Sequence, residues 1–184
     1  MVIIGSTRPG RIGLPIAEWF IDLATEHDSF EVEVADLAEI NLPFLDEPKH
    51  PMLGEYVHQH TMDWSARVKA SDAFVLVTPE YNFSMTAPVK NAFDFLSKEW
   101  SYKPIGFVSY GGISGGLRAA QQLRQVVTAL NMMPMPGAVV LPQAKTMLDD
   151  AGKFVSTEVA RKSATAMLKE LRRWSDALTP LRNP

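Results

Sequence analysis

The sequence predicts an α/β domain in which five parallel strands alternate with helices, giving a sheet of order 2-1-3-4-5 with helices on both faces. One observation and one general rule support this prediction. Short apolar runs of strand length alternate with segments whose apolar residues recur at helical spacing. Each parallel crossover is right-handed and packs its helix against the sheet. In this order the first and third strands are neighbours where the winding reverses, so ligands are expected beyond their carboxyl ends.

The first half of the chain contains two predicted strands and two predicted helices. Residues 2–4 are apolar and predict the first strand, and helical spacing from Ile12 to Leu23 predicts the first helix. Strict alternation over 30–34 predicts a second strand near the sheet edge, and three prolines make 40–53 a loop. The next helix is indicated by residues at helical spacing, namely Leu53, Val57, Thr61, Trp64 and Val68.

The second half continues the alternation. The apolar run 73–77 predicts a central strand that is covered on both faces. Thr86 and Pro88 predict a helix start, with a side-chain cap followed by a proline in the first turn. The remaining predicted elements are strands at 105–109 and 138–141, a helix from Leu117 to Leu130 between them, and a last helix capped by Ser156 or Thr157.

The composition is typical of one ordinary soluble domain, expected to span 1–184. The 184 residues are 46 % hydrophobic and 21 % charged. The absence of cysteine excludes disulfides, thiolate nucleophiles and cysteine metal sites, and it fits a reducing compartment. A net charge of −3 gives no general attraction to nucleic acid or to anionic membranes. With no apolar run of the ~20 residues that span a bilayer and no signal-peptide pattern, we expect no membrane insertion and a cytoplasmic location.

The loop after the first strand has the layout of a phosphate site. Residues 5–11, G-S-T-R-P-G-R, precede a helix start, where unpaired backbone N–H groups and the helix dipole stabilise an anion. Arg8 and Arg11 add positive charge that suits phosphate oxygens. The loop is close to G-x-x-x-x-G-K-[ST], but Arg11 and Ile12 replace the lysine and the hydroxyl residue, and G-x-G-x-x-G is absent. A phosphomonoester bound without metal fits better than ATP or NAD, and a solvated surface turn is the alternative.

The loops after the third and fourth strands suit a planar ring. The first of them, 78–86, combines aromatic, amide and carboxylate side chains where a simple turn favours glycine. The Asn82 amide and backbone N–H groups suit ring heteroatoms, and Tyr81 or Phe83 suits an apolar face; alternatively, these aromatic residues belong to the core or to a subunit contact. The second loop, 109–116, has four glycines within six positions, which allows close approach of the backbone to a ligand.

Two other kinds of site are not favoured by the sequence. Residues 112–116 match the hydrolase pattern G-x-S-x-G, but all four histidines precede Ser114, whereas that triad places its histidine after the serine. His58 and His60 lie two apart on a predicted helix and should point to different faces, and His50 lies on a loop, so no metal site is expected. Basic residues of the last helix are interpreted as its solvated face.

Three segments together resemble the NADPH-dependent FMN reductase family of flavodoxin-like proteins, which includes quinone, azo-dye and chromate reductases. They are G-S-T-R-P-G-R at 5–11, P-E-Y-N at 79–82 followed by K-N-A-F-D at 90–94, and S-Y-G-G at 109–112. The motifs occur in order on the matching loops, and the resemblance covers residues 1 to about 142. It implies a flavodoxin-like three-layer sandwich.

The resemblance also implies FMN as cofactor and NADPH or NADH as electron donor. In the implied ping-pong reaction a hydride passes from NAD(P)H to flavin N5, and an acceptor such as free flavin, a quinone, an azo compound or a metal oxyanion is then reduced. Because the flavin carries the chemistry, no protein acid, base or nucleophile is required. The residues expected to bind FMN are Ser6, Arg8, Arg11, Ile12 and Gly13 at the phosphate, and Pro79, Glu80, Tyr81, Asn82, Phe83, Ser109, Tyr110, Gly111 and Gly112 at the ring.

Members of the family that resemble this chain are usually dimers or tetramers, so a homodimer or homotetramer is expected, with the helix after P-E-Y-N in the interface. That helix has apolar residues on more than one side, which suits one face toward the sheet and another toward a partner. These residues are Val89, Ala92, Phe93, Phe95 and Leu96. Glu80 or Tyr81 would then face either the flavin or a neighbouring subunit.

Two alternatives remain open at this point. A flavodoxin-type electron carrier would hold FMN without a substrate of its own, but its phosphate loop is generally rich in threonine and glycine and its surface strongly acidic. Arg8, Arg11 and a net charge of only −3 argue against it. A flavin-free phosphosugar or nucleotide binder would explain the first loop and leave the other two without a role.

Overall fold

Four parallel strands form the centre of the sheet in the computed structural model, which describes residues 1–27 and 29–182. They are β1 (Val2–Ile4), β2 (Val34–Asp36), β3 (Phe74–Pro79) and β4 (Pro104–Tyr110), paired in the order β2-β1-β3-β4. The next position is shared by β5 (Met133–Pro134), which pairs with the start of β4, and β6 (Val139–Leu141), which pairs with its end. The predicted order is confirmed, and the short strand β5 is an additional element that the sequence analysis did not predict.

Helices cover both faces of the sheet. They are α1 (Gly13–Thr25), α2 (Leu37–Ile40), α3 (Gln59–Ala70), α4 (Ala87–Asp94), α5 (Leu117–Ala129) and α6 (Glu158–Arg182). Buried residues of α1 and α6 pack with Val75 and Val77 on one face, and those of α3, α4 and α5 pack with Phe74 and Leu76 on the other. Successive residues of β3 therefore enter different cores, as expected for a parallel strand covered on both sides. None of the helices described has the length and apolar character needed to cross a membrane.

The second strand begins four residues later than predicted, at Val34 rather than Phe30. Its register pairs Val34 with Val2, and residues 30–32 are not paired as a strand in the described part of the chain. Phe30 and Val32 are partly buried against the core that contains α1 and α6. The alternating pattern therefore reports half-burial of an extended segment rather than strand pairing.

The third helix also begins later than the sequence pattern indicated. Thr61, Trp64 and Val68 are buried as predicted, but Leu53 and Val57 are exposed and lie before α3. The Glu47 carboxylate accepts hydrogen bonds from the backbone N–H groups at 57 and 58, at 2.9 and 3.1 Å, which fixes the chain just before the helix. The helix consequently starts at Gln59.

The prediction that His58 and His60 point to different faces is wrong. His58 precedes the helix, and the two imidazole rings stack with their centroids 5.2 Å apart. Asp46 holds both rings, since its backbone oxygen lies 3.2 Å from Nε2 of His58 and its Oδ1 lies 2.9 Å from Nε2 of His60. The described residues contain no group of three or more side chains arranged to hold a metal ion.

The helix after P-E-Y-N begins as predicted but packs differently. Thr86 Oγ1 accepts a hydrogen bond from Val89 N at 3.4 Å and donates one to the carbonyl of Gly5 at 2.8 Å. The cap thus ties α4 to the loop after β1. All five apolar residues that suggested a second, partner-facing side are buried inside the chain: Val89, Ala92, Phe93, Phe95 and Leu96.

Candidate active site

Three loops meet at the carboxyl edge of the central strands. Backbone hydrogen bonds continue the strand pairing into them: Gly5 N donates to Val77 O at 2.9 Å, and Glu80 N donates to Tyr110 O at 3.2 Å. Gly111 N donates to the carbonyl of Leu141 at 3.3 Å. The loops after β1, β3 and β4 are therefore neighbours, as their positions in the sequence had predicted, and they lie where a doubly wound sheet binds its ligands.

The loop after β1 presents donors for an anion. Thr7 and Arg8 are exposed, Gly10 adopts a left-handed φ of 68°, and Arg11 N donates to Arg8 O at 3.1 Å to close a turn. Helix α1 then starts at Gly13 with neither a side-chain cap nor an acidic residue in its first turn. Its first N–H groups and the positive end of its dipole suit a phosphate at this point.

The side chain of Arg11 is engaged elsewhere. Its Nη1 donates to the Ser6 carbonyl and to Oδ1 of Asp36, both at 2.6 Å, and its Nη2 pairs with Oδ2 of the same carboxylate. Asp36 also accepts from Ala38 N at 2.9 Å and so caps α2. Burial of Asp36 opposes its ionisation, yet the hydrogen bonds from Arg11 and Ala38 hold its pKa below the usual value. Arg11 therefore stabilises the loop after β1 by binding the Ser6 carbonyl and Asp36. Of the two arginines in this loop, Arg8 is the exposed one.

Sequence reasoning did not single out Asp36. Its position directly before a short helix is a signal for a capping residue, and Asp36 is indeed the cap. Nothing local indicates its second partner, because Arg11 lies 25 positions earlier in the chain.

The hydroxyl groups of Ser6, Tyr81 and Tyr110 lie close to the loop after β1 and the start of α1. Ser6 Oγ lies 3.4 Å from the phenol oxygen of Tyr81. The hydroxyl of Tyr110 packs so closely against Gly13 that a Cβ there would collide with it. That hydroxyl is buried and has no hydrogen-bond partner among the described residues, and burial raises its pKa. Tyr110 was predicted at the ring, but its hydroxyl reaches the phosphate loop.

At the end of β4 and in the loop after it, the backbone rather than the Ser109 side chain is available to a ligand. Ser109 is fully buried, and its Oγ has no hydrogen-bond partner in the described structure. Gly112 is exposed, and a Cβ at that position would meet nothing within 4 Å. An open, glycine-lined edge of this kind lets a flat ligand lie against the main chain.

The loop after β3 forms a tight turn. Tyr81 N donates to Ser84 O at 3.0 Å and Ser84 N returns a bond to Tyr81 O at 2.9 Å. Between them Asn82 and Phe83 have positive φ values of 50° and 66°, the pattern of a type I′ turn. Tyr81 and Phe83 both keep exposed aromatic surface beside the three loops.

The Glu80 side chain is bound to the start of α5, next to the loop after β4. Its carboxylate accepts from Arg118 N at 3.0 Å and from Arg118 Nη1 at 2.8 Å. Burial disfavours its charged form, but hydrogen bonds from Arg118 and Ser114 outweigh burial and lower its pKa. Glu80 thus joins the loops after β3 and β4, a role that the sequence did not reveal because Arg118 is 38 positions away.

The donor set fits FMN. The start of α1 and Arg8 suit a phosphomonoester, and the buried Tyr110 hydroxyl beneath them lacks a partner. The exposed rings of Tyr81 and Phe83 and the open backbone at Gly112 suit a planar heteroaromatic group. Both halves of the cofactor therefore have matching surfaces on adjacent loops.

Comparisons with known proteins agree with this geometry. The family model of NADPH-dependent FMN reductase matches residues 1–146. An NAD(P)H-dependent FMN reductase of Schizosaccharomyces pombe is 40 % identical over 161 residues, covering 84 % of this chain and 80 % of that protein. An NADPH:quinone oxidoreductase of Arabidopsis thaliana is 30 % identical over 135 residues, covering 70 % and 65 % of the two chains.

A solved structure has the same fold. The flavoenzyme NAD(P)H:(acceptor) oxidoreductase FerB from Paracoccus denitrificans superposes with a TM-score of 0.75 at 20 % identity, covering 96 % of each chain. This likeness confirms the flavodoxin-like architecture that the motifs implied. The family match over residues 1–146 and the 40 % identity to the Schizosaccharomyces pombe reductase show that the chain belongs to the NADPH-dependent FMN reductase family.

Proposed function

We propose that this NAD(P)H-dependent FMN oxidoreductase binds its cofactor across the three loops at the carboxyl edge of the sheet. The observation that carries the proposal is the adjacency of an anion-binding helix start and an open edge with aromatic and glycine residues. Bound FMN would supply the redox chemistry, namely hydride transfer from NADPH or NADH and reduction of an acceptor. The protein residues then have to bind and orient the cofactor.

The residues divide into two groups in this proposal. Arg8 and the backbone N–H groups of Ile12 and Gly13 bind the phosphate. Ser6, whose side chain is buried, contributes through its backbone, and Arg11 holds the Ser6 carbonyl in place. The segments 79–83 and 109–112 border the ring. Burial leaves Ser109 and Glu80 to act through the backbone, whereas Tyr81, Asn82 and Phe83 present exposed side chains.

The acceptor is proposed to be a small molecule that reaches the exposed edge of the site. Free flavin, quinones, azo compounds and metal oxyanions remain candidates, and a quinone is supported by the name of the Arabidopsis relative. A flavodoxin-type carrier is less supported, because the curated relatives are named as reductases. A single domain over 1–184 and a cytoplasmic location remain predictions from the sequence.

The test is a spectrum of the purified protein with FMN, followed by anaerobic addition of NADPH and then NADH. Loss of the flavin band near ~450 nm within seconds, with protein and not without it, is the expected result for hydride transfer to bound flavin. Binding of FMN without reduction by either nucleotide would favour the electron carrier. No binding of FMN would refute the proposed function.

The Arg8→Ala variant is expected to bind FMN about tenfold more weakly, because a charged hydrogen bond to phosphate contributes on the order of 1.5–3 kcal/mol and Arg8 is exposed to competing water. Fluorescence titration with FMN and with riboflavin measures the effect, and riboflavin binding should not change. Arg173→Ala, on the exposed side of α6, is the matched control. Equal losses for both flavins would place Arg8 outside the phosphate site.

We also propose a homodimer or homotetramer. Support comes from exposed apolar side chains in the loop before α3, where Phe44 is 84 % exposed. The groove beside Phe44 has a mainly apolar lining, which includes Leu42, Pro43, Ala87 and Pro88, with Thr7, Asn41 and Asn91 as its polar members. An exposed ring next to such a groove suits a two-fold interface that uses the same patch twice. Light scattering at micromolar concentration should show an oligomer for the native chain and a shift toward monomer for Phe44→Asp. A monomeric native chain would contradict this proposal.

A further inference from the structure

The turn from Tyr81 to Ser84 adopts a conformation that its own residues disfavour. Asn82 tolerates a left-handed φ, but a bulky residue such as Phe83 rarely adopts φ of 66°. Burial does not hold the side chain, because Phe83 is 60 % exposed. A strained, exposed turn beside a ligand edge needs an external restraint.

Helix α5 supplies contacts that restrain the turn. The guanidinium carbon of Arg118 lies 4.2 Å from the centroid of the Phe83 ring, a cation–π distance. Gln122 Nε2 donates to the Phe83 carbonyl at 3.2 Å, and Ser84 Oγ donates to Gln122 Oε1 at 2.6 Å. Arg118 and Gln122 are four residues apart and lie on the same face of α5. That face contacts both the side chain and the backbone of the turn.

Glu80 holds the side chain of Arg118 in place beside the turn. Its carboxylate binds the backbone N–H and the guanidinium of Arg118 together, and its side chain is only 8 % exposed. A carboxylate at the first turn of α5 also interacts favourably with the helix dipole. Arg118 is therefore bound by Glu80 on one side and stacks on Phe83 on the other.

We infer that Arg118 and Gln122 are positioning residues that keep the turn 81–84 in its left-handed conformation and so preorganise the ring side of the site. The inference rests on the proposed function, because it takes this turn to border the flavin ring. A loop that is already ordered does not lose conformational entropy when the ligand binds, and affinity rises accordingly. Arg118 acts on the turn through its contact with the Phe83 ring, and Glu80 holds the Arg118 guanidinium in place for that contact.

A double-mutant cycle between Arg118 and Phe83 tests this inference. Arg118→Ala should weaken FMN binding about tenfold in the native background, measured by quenching of flavin fluorescence. In the Phe83→Gly background the same substitution should cost less than twofold, because glycine adopts a positive φ without a restraint. Arg118→Lys should fall between the two, since an ammonium lacks the planar stacking surface. Arg173→Ala on α6 is the control and should leave affinity unchanged.

The outcomes separate this inference from the proposed function. Two outcomes would overturn the inference. One is a tenfold loss of FMN affinity that persists in the Phe83→Gly background, because Arg118 would then act by another route. The other is no loss of affinity in either background. Amide hydrogen exchange of Tyr81 and Ser84 in the ligand-free protein gives a second readout and should accelerate in Arg118→Ala. Failure of the native chain to bind FMN would refute the proposed function, while the exchange rates would still decide whether α5 restrains the turn.

Discussion

Gly116→Ala is expected to lower the free energy of unfolding by ~2–5 kcal/mol, combining ~1–2 kcal/mol for a left-handed non-glycine residue with ~1–3 kcal/mol for overpacking. Gly116 has φ of 81°, and a Cβ there would lie 2.7 Å from Tyr110 N and 2.8 Å from Tyr110 O. Those atoms are backbone and cannot rotate away, because Tyr110 is paired with strands on both sides. Urea unfolding measures the loss.

Gly112→Ala is the matched control for this prediction. It lies in the same loop, but its added Cβ would meet nothing within 4 Å. The change in stability should stay within about 0.5 kcal/mol, as for most surface substitutions. Equal stability of the two variants would show that the backbone at the end of β4 can shift to accommodate the added Cβ. The close approach at Gly116 would then not be required for the fold.

Hydrophobic periodicity was sufficient to predict the architecture. The run 73–77 became β3, covered on both faces, and the alternation of strands and helices yielded the observed order. Errors occurred where pairing rather than periodicity decides the structure. Residues 30–32 alternate like a strand but are not paired in the described structure, and β5 has only two paired residues, too few to form a pattern.

The adjacency of the three loops could be predicted from the sequence, whereas the side-chain partners within them could not. Glycine and aromatic residues mark a loop locally, so the three loops could be located from the sequence. The partners of Arg11 and Glu80 lie 25 and 38 positions away, and only the folded chain brings them together. A charged residue in a binding motif can therefore brace the loop instead of contacting the ligand, and sequence alone does not distinguish these roles.

Asp36→Ala is expected to reduce the free energy of unfolding by ~3–5 kcal/mol, the usual cost of removing one partner from a buried ion pair. The Arg11 side chain is 15 % exposed and that of Asp36 is 6 % exposed, so the guanidinium would keep a charge without its carboxylate. The substitution also removes the side-chain cap of α2. Glu39→Gln, an exposed carboxylate in that helix, is the control and should change stability by less than about 0.5 kcal/mol.

The pH dependence of unfolding provides an independent test of the same ion pair. The pKa of Asp36 is lower in the folded chain than its usual value of 3.8, so its contribution is present above that value and is lost as the pH falls through the folded pKa. The native chain should therefore lose more stability than Asp36→Ala as the medium is acidified, and the two curves should converge. Parallel curves would show that the Asp36 carboxylate contributes no net stability through this pair. Unchanged stability of Asp36→Ala, with a loss of its FMN affinity larger than that of Arg8→Ala, would instead indicate that Asp36 positions Arg11 for the phosphate.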